Sequence, residues 1–173
     1  AVSQEDWLES LATAANETEA GFFASKMVMY DDPSTVDSCG DYYSTIGVGG
    51  KRGHGKCRKS YMSRESVFSA CGGAAMYSRE LLDNVGVFDD DFFFGYEDAD
   101  LGFRARLQDY ECMFVPDAVV NHHLSSSTVE DSPTYVYHSQ RNVEYVFFKC
   151  LPRSLLIRFL PNHIIYNIIA FLY

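Results

Sequence analysis

The 173-residue chain lacks a Cys-x-x-Cys pair and has an odd number of cysteines. They are spread along the sequence at Cys39, Cys57, Cys71, Cys112 and Cys150. This pattern excludes a zinc motif and a disulfide framework, and it favours a reducing compartment. We also expect no signal peptide, because Ala1–Gln4 runs directly into a helical pattern.

Basic residues are scarce: 14 Lys and Arg stand against 24 Asp and Glu, which gives a formal net charge of -10. Such an acidic chain argues against general nucleic-acid binding, which needs a basic face. Apolar residues make up 47% of the chain and aromatic residues 15%, so a core can form and global disorder is excluded. A single domain is the default at this length.

One segment concentrates the basic residues. Tyr42–Arg64 contains Lys51, Arg52, Lys56, Arg58, Lys59 and Arg64 and no acid. A basic loop in an acidic protein predicts a local anionic ligand such as a phosphate, and an exposed solvated loop is the alternative. Because Ser38–Arg64 is also rich in glycine, we expect an irregular loop there.

Short strands alternating with helices predict an α/β domain over residues 1–150. The predicted strands are Gly21–Val28, Ser66–Cys71, Ala74–Tyr77, Tyr110–Val115 and Ala118–Val120. The predicted helices begin after Ser3, run over Arg79–Val85 with Ser78 as cap, run over Asp98–Asp109, and extend from Pro133 to Cys150.

Residues 151–173 form a separate apolar tail. Arg158 and Pro161 interrupt it, which predicts a poor membrane span. From His163 onward, an apolar stripe and an opposite face of His163, Tyr166 and Asn167 predict an amphipathic helix. The stripe consists of Ile164, Ile165, Ile168, Ile169 and Leu172. With Lys149, Arg153 and Arg158 nearby, the helix is predicted to lie in a membrane interface; packing on the domain or on another part of the protein is the alternative.

The densest chemical pattern is Glu97-Asp98-x-Asp100. Asp98 is predicted at a helix start, where free backbone N–H groups stabilise a carboxylate that can accept a proton from a hydroxyl group. A capping pair is the alternative for Glu97 and Asp98. For Asp100, an ion pair with Arg104 four residues later is favoured.

Two further patterns carry possible chemistry. His122 and His123 follow a short strand and could bind a divalent metal, although a lone histidine is more often structural. Arg141-Asn142 lies on the last predicted helix of the domain. Its guanidinium could bind a diphosphate, and an ion pair with Glu144 or another acid is the alternative.

Taken together, these patterns resemble the C-terminal half of family 2 glycosyltransferases, in the rhamnosyltransferase-like branch. The resemblance is strongest over Ala70–Ser127. Its motifs are Gly-Ala-x-x-x-x-Arg, Gly-x-Phe-Asp-x-x-Phe-Phe, Glu-Asp-x-Asp-Leu-x-x-Arg and Val-Pro-x-Ala-x-Val-x-His, followed by Arg141-Asn142 on a helix. The Trp7 helix and Lys51-Arg52-Gly53 are also similar to the family.

The resemblance implies a partial GT-A fold, the nucleotide-diphospho-sugar transferase fold, with a mixed sheet flanked by helices and an amphipathic C-terminal helical tail. In this family a nucleotide-binding half with an Asp-x-Asp-type metal motif precedes a segment like Ala1–Leu8. We therefore expect this chain to hold only the acceptor-side half of the catalytic domain and to be inactive in isolation.

The resemblance also implies roles for particular residues. Asp98 would be the general base of an inverting sugar transfer, with Glu97 beside it. A divalent cation, Mg²⁺ or Mn²⁺, would be bound with the help of His122, or of His123 as the second choice. The implied phosphate-screening residues are Lys51, Arg52 and Arg141, and Gly72 and Gly73 would let the acceptor approach the backbone.

The implied partners are a nucleotide-sugar donor and a glycan acceptor, in particular a lipid-linked glycan of cell-surface polysaccharide synthesis. The implied location is cytoplasmic, peripheral to the inner face of the cell membrane. Two other readings stay open: a non-catalytic interaction module, which fits a partial active site, and a metal-dependent hydrolase built on the acidic cluster.

Overall fold

The structure is a computed structural model that describes residues 1–123 and 132–172. The Ser125–Ser127 segment and the end of the Ala70–Ser127 resemblance fall outside this range. The strands are β1 (Val2–Ser3), β2 (Phe22–Met29), β3 (Val36–Ser38), β4 (Asp41–Tyr43), β5 (Gly49–Lys51), β6 (Glu65–Val67), β7 (Ala75–Tyr77) and β8 (Cys112–His122). The α-helices are α1 (Trp7–Glu17), α2 (Arg79–Val85), α3 (Glu97–Leu107), α4 (Pro133–Cys150) and α5 (Arg153–Leu172).

A mixed sheet organises the molecule around β2. Strand β8 runs parallel to β2 along one edge, and β3 and β7 run antiparallel along the other. Strands β1 and β6 pair with the far edge of β8. Helix α1 covers one face of the sheet, while α2 and α3 cover the other. This mixed α/β arrangement is compatible with a partial GT-A fold.

The core explains why β2 is largely apolar, with Ser25 and Lys26 as its polar residues. Its side chains alternate between two buried faces, so most of them are apolar. Phe23 packs against Leu11 of α1, whereas Phe22 packs with Leu81 of α2 and Leu101 of α3. All five side chains are buried.

The helix ends confirm part of the sequence analysis. The Ser78 hydroxyl accepts a hydrogen bond from the Leu81 amide, and Gly86 ends α2 with a φ of 90°. The Ser132 hydroxyl caps α4 in the same way, through the Tyr135 amide. The prediction that Ser3 begins the first helix is wrong, because Ser3 pairs with Val120 in the sheet and α1 begins after Asp6.

The prediction of strands around Pro116 needs correction. The two short strands expected there are one strand, β8, whose pairing with β2 shifts between Ser25 and Lys26. Ser25 pairs with Val115 and Lys26 with Val119, so Pro116 lies in a bulge where its missing N–H costs no sheet hydrogen bond.

The segment Ser38–Arg64 is not the irregular loop that its glycines suggested. It contains the β4–β5 hairpin, and the Cys39 and Arg52 amides donate to the Arg52 and Gly40 carbonyls. The glycines supply turns: Gly40 and Gly47 have φ values of 88° and 84°, in the left-handed region.

Helix α5 runs unbroken through Pro161 and is long and apolar enough, by length and composition, to cross a membrane. This corrects the expectation that the interruptions would break it, although such a helix alone is weak evidence of a span. Its polar face is docked on the domain. His163 is buried, with Nδ1 2.8 Å from the Ile46 carbonyl and Nε2 3.1 Å from the Glu144 carboxylate. The His163 side of α5 therefore faces the domain, and the five residues of the predicted apolar stripe are exposed.

Candidate active site

Asp98 lies in the first turn of α3, and backbone N–H groups hold both of its carboxylate oxygens. The Gly72 amide donates to Oδ2 at 2.8 Å, and the Ala99 amide donates to Oδ1 at 2.7 Å. The Ser69 hydroxyl donates to the Asp98 carbonyl at 3.1 Å. The side chain therefore has one fixed direction, as a catalytic carboxylate requires.

That direction leads into a cavity of about 320 Å³. Five aromatic residues contribute to its walls: Tyr42, Phe68, Phe94, Tyr96 and Tyr135. Its ionisable lining includes Asp41, Lys51 and Asp98. A concave site with apolar walls and a few convergent polar groups is typical of small-molecule binding sites.

The two carboxyl groups of the cavity, Asp41 and Asp98, both have raised pKa values. Burial raises the pKa of Asp98, against the opposing effect of the N–H groups of Gly72 and Ala99. Burial and the negative charge of Asp98 raise the pKa of Asp41 well above its ordinary value. A raised pKa makes a carboxylate a stronger base once it is ionised.

Lys51 reaches the cavity from β5 and is paired with a buried acid, Asp37. Its Nζ lies 2.8 and 3.0 Å from the two Asp37 carboxylate oxygens. Burial lowers the pKa of Lys51, but the bond to Asp37 outweighs it and leaves the pKa raised. Lys51 is therefore a fixed cation at the cavity wall.

Asp37 also binds His122, and a β-bulge in the pairing of β2 with β3 directs the Asp37 side chain toward that histidine. Met27 pairs with Ser38 and Val28 with Val36, so Asp37 is the extra residue of β3. Its Oδ2 lies 2.8 Å from His122 Nδ1. Although burial opposes it, contacts with Lys51 and His122 lower the pKa of Asp37, so the carboxylate stays ionised.

The two neighbouring histidines have different surroundings. His122 lies on the Asp37 and Lys51 side, whereas His123 is exposed and stacks on Tyr30 with ring centroids 3.5 Å apart. With Nδ1 bound to a carboxylate, His122 has Nε2 left as a ligand atom, an arrangement typical of metal-binding histidines. Within residues 1–123 and 132–172, however, no group of three or more His, Cys, Asp or Glu side chains forms a complete metal site.

Gly72 is a partner of Asp98, whereas Gly73 is placed differently. A Cβ at Gly72 would lie 3.4 Å from the Asp98 Cβ, so the close approach that glycine permits here is to the candidate base itself. A Cβ at Gly73 would instead contact Met27. Glu97 lines a second cavity with Gly72, and burial raises its pKa.

Arg52 and Arg141 are engaged away from the cavity in this structure. Arg52 donates to the Cys39 carbonyl, forms an ion pair with Glu65 and lies over the Tyr61 ring. Arg141 donates to the backbone carbonyls of residues 91 and 92 and to its neighbour Asn142. The structure thus brings together Asp98, Gly72 and Lys51 from the predicted set and leaves these two arginines outside.

Sequence reasoning missed Asp37 and Asp41. The available signal was the pair of acids on either side of Ser-Cys-Gly, immediately before the basic segment. Asp100 behaves as expected, since Arg104 Nε lies 2.8 Å from its Oδ2. Lys149 also binds Asp100, at 2.7 Å, and Asp89, which removes it from the cations predicted for lipid headgroups.

Comparison with known proteins identifies the family of the chain. The family model described as "Glycosyl transferase family group 2" matches residues 5–136, most of the chain. The chain belongs to glycosyltransferase family 2. The family match confirms the resemblance at family level, but it does not separate out the rhamnosyltransferase-like branch.

A relative of this family 2 glycosyltransferase chain is the "Uncharacterized protein y4gI" of Sinorhizobium fredii. It is 28% identical over 155 residues, which cover 82% of this chain and 16% of the relative. The chain thus spans about a sixth of the length of that protein.

Proposed function

We propose that this chain is the acceptor-side half of an inverting glycosyltransferase, which transfers a sugar from a nucleotide-sugar to a glycan acceptor. The observation that carries the proposal is the Asp98 carboxylate, fixed by two backbone N–H groups and directed into an aromatic-walled cavity. Membership of family 2 supports the reaction class.

In this mechanism Asp98 accepts the proton of the acceptor hydroxyl. The hydroxyl oxygen then attacks the anomeric carbon of the donor while the bond to the nucleotide diphosphate breaks. One displacement from the face opposite the leaving group inverts the anomeric configuration. The aromatic walls would cover the apolar faces of the acceptor ring and exclude water.

Charge on the departing diphosphate needs positive partners. A divalent cation, Mg²⁺ or Mn²⁺, would supply this when bound. Because no group of three or more His, Cys, Asp or Glu side chains surrounds His122 among the described residues, further ligands are expected elsewhere in the complete protein. Besides the divalent cation, Lys51 would supply positive charge on the cavity side. Arg52 and Arg141 would reach a phosphate only after leaving their present partners.

We further propose that the acceptor is lipid-linked and that the enzyme works at the cytoplasmic face of the membrane. Helix α5 supports this, because its polar face is docked on the domain while its apolar stripe is exposed. A membrane-bound acceptor would then be delivered on the same surface that binds the helix.

The test is Asp98→Asn in the complete enzyme, which keeps the size of the side chain and removes the base. We expect the transfer rate to fall by roughly 10²–10⁴-fold, the usual contribution of general base catalysis, with donor binding nearly unchanged. Asp109→Asn is the matched control, since Asp109 is exposed and its left-handed φ of 62° suits asparagine.

The assay is release of nucleoside diphosphate from a panel of nucleotide-sugars, with and without glycan acceptors. A variant within a few-fold of the parent would show that another group is the base. Release that does not depend on any acceptor would favour the hydrolase reading, and no release by the parent would favour the interaction module.

A further inference from the structure

The turn that leads into α3 has an unusual backbone. Phe93 and Tyr96 have φ values of 56° and 70°, and Gly95 between them has a φ of 74°. Positive φ values are uncommon for aromatic residues and persist only where the surroundings enforce them. The turn ends immediately before Glu97 and Asp98, so its shape decides where α3 begins and where Asp98 points.

A side chain from α4 binds the backbone of this turn. Asn142 of α4 is fully buried, and the two N–H groups of its Nδ2 are shared among three backbone carbonyls: Phe92 at 2.9 Å, Phe94 at 2.8 Å and Gly95 at 2.7 Å. No other residue type of this size offers two N–H groups on one nitrogen together with an acceptor oxygen. The amide therefore matches the turn closely.

Arg141 fixes the orientation of that amide. Its Nε and Nη2 donate to the Asn142 Oδ1 at 3.0 and 2.9 Å, and Nη2 also donates to the Asp91 and Phe92 carbonyls. Because a guanidinium group only donates, Oδ1 must face Arg141 and Nδ2 must face the turn. The two residues act as one clamp, which explains why Arg141 is turned away from the cavity.

The clamp is connected to the candidate base through the backbone of the turn. The Tyr96 carbonyl accepts the Asp100 amide at 2.9 Å, so the held turn starts the hydrogen bonding of α3. Asp98 lies in that first turn, and its two oxygens meet the amides of Gly72 and Ala99. A shift of the turn would displace Asp98 from both.

We propose that Asn142 is the positioning residue of Asp98, which sets the direction of its carboxylate through the turn of residues 92–96. This inference rests on the proposed role of Asp98 as the base. Asn142 does not contact the acceptor or donate to the reacting atoms; it acts through the start of α3.

The test uses NMR on the isotope-labelled 173-residue chain and needs no substrate. In the parent, the Gly72 and Ala99 amide protons report on Asp98, and the chemical shift of Gly72 should follow the ionisation of that carboxyl. In Asn142→Asp, an oxygen replaces the donating nitrogen and repels the carbonyls. We expect both amides to exchange with solvent roughly tenfold faster or more, as for loss of a hydrogen bond to a charged group, and the Gly72 titration to disappear.

Two controls separate positioning from general loosening. Asn84→Asp makes the same chemical change at an exposed residue that donates to the Tyr110 hydroxyl, and it should leave Gly72 unchanged. The exchange rates of the β8 amides report on global unfolding of the chain. If the Gly72, Ala99 and β8 amides all accelerate by the same factor in Asn142→Asp, or if Gly72 keeps its titration, the proposal is overturned.

A second variant covers the case in which Asn142→Asp does not fold. Arg141→Lys keeps the charge and releases Oδ1, so the same two amides should accelerate by a smaller factor; an unchanged Gly72 there overturns the proposal. Since these readings are independent of activity, failure of Asp98 as a base would appear only in the transfer assay described above.

Discussion

The outward face of α5 gives a quantitative prediction about membrane binding. Ile164, Ile165, Ile168, Ile169 and Leu172 each have between 49% and 72% of their surface exposed. Full burial of a large aliphatic side chain contributes about 1.5–3 kcal/mol. Each half-exposed side chain would therefore gain about 1 kcal/mol when a membrane covers it, or about 5 kcal/mol for the whole stripe. Arg153 and Arg158 add about 1 kcal/mol each near anionic headgroups.

The perturbation is the double variant Ile165→Glu and Ile168→Glu. Loss of two contributions of about 1 kcal/mol should weaken partitioning onto vesicles roughly thirtyfold. The added negative charge increases the effect. The assay is flotation of the chain with vesicles containing anionic lipid, at low and at high salt.

The matched control is the double variant Val87→Glu and Leu107→Glu, which changes two exposed apolar residues away from α5. It should float like the parent. Release by high salt identifies peripheral binding, whereas retention until detergent is added identifies a span. A parent chain that ignores anionic vesicles at low salt, or a control that fails as badly as the α5 variant, refutes the reasoning.

Three other predictions concern the site and its support. Because burial raises the pKa values of Asp41 and Asp98, the folded state keeps protons that the unfolded chain loses, and the pair costs stability as pH rises above the usual Asp range. Asp41→Asn should therefore raise the melting temperature at neutral pH and lower the pKa of Asp98 in a carboxyl NMR titration; no change in either contradicts it. In the complete enzyme, His122→Ala should weaken metal-dependent nucleotide binding and His123→Ala should not, and a metal titration with the reverse pattern would overturn the assignment. Gly47→Ala should destabilise the chain by about 2 kcal/mol or more in denaturant unfolding, since φ is 84° and a Cβ would lie 2.5 Å from the His163 ring; a neutral effect would show that α5 is not held there.

The sequence correctly predicted helix ends that are set by residues within the same turn. Ser78 and Gly86 mark the ends of α2 because a cap and a left-handed glycine act within one turn. Glu97 and Asp98 were placed at a helix start for the same reason. The α/β class followed from the alternation of strands and helices.

Features set by distant contacts could not be read in this way. The bulge that directs Asp37 toward His122 depends on pairing between β2 and β3, and the place of Asp41 opposite Asp98 depends on the packing of a hairpin against α3. Arg141 was interpreted as a phosphate ligand. Its actual partners are backbone carbonyls about 50 residues earlier, and contacts with backbone carbonyls leave no mark in the sequence.

The β4–β5 hairpin has one consequence for how a membrane-bound substrate would be reached. Its turn contacts α5 through Ile46 and Gly47, while its strands carry Asp41 and Lys51 into the cavity wall. Three-residue strands span about 10 Å. If the outward face of α5 lies on a lipid surface, the hairpin and the thickness of the helix, about 10 Å each, together separate that surface from the candidate base by about 20 Å. A lipid-linked acceptor would then have to extend its hydroxyl about that far from its lipid anchor to reach Asp98.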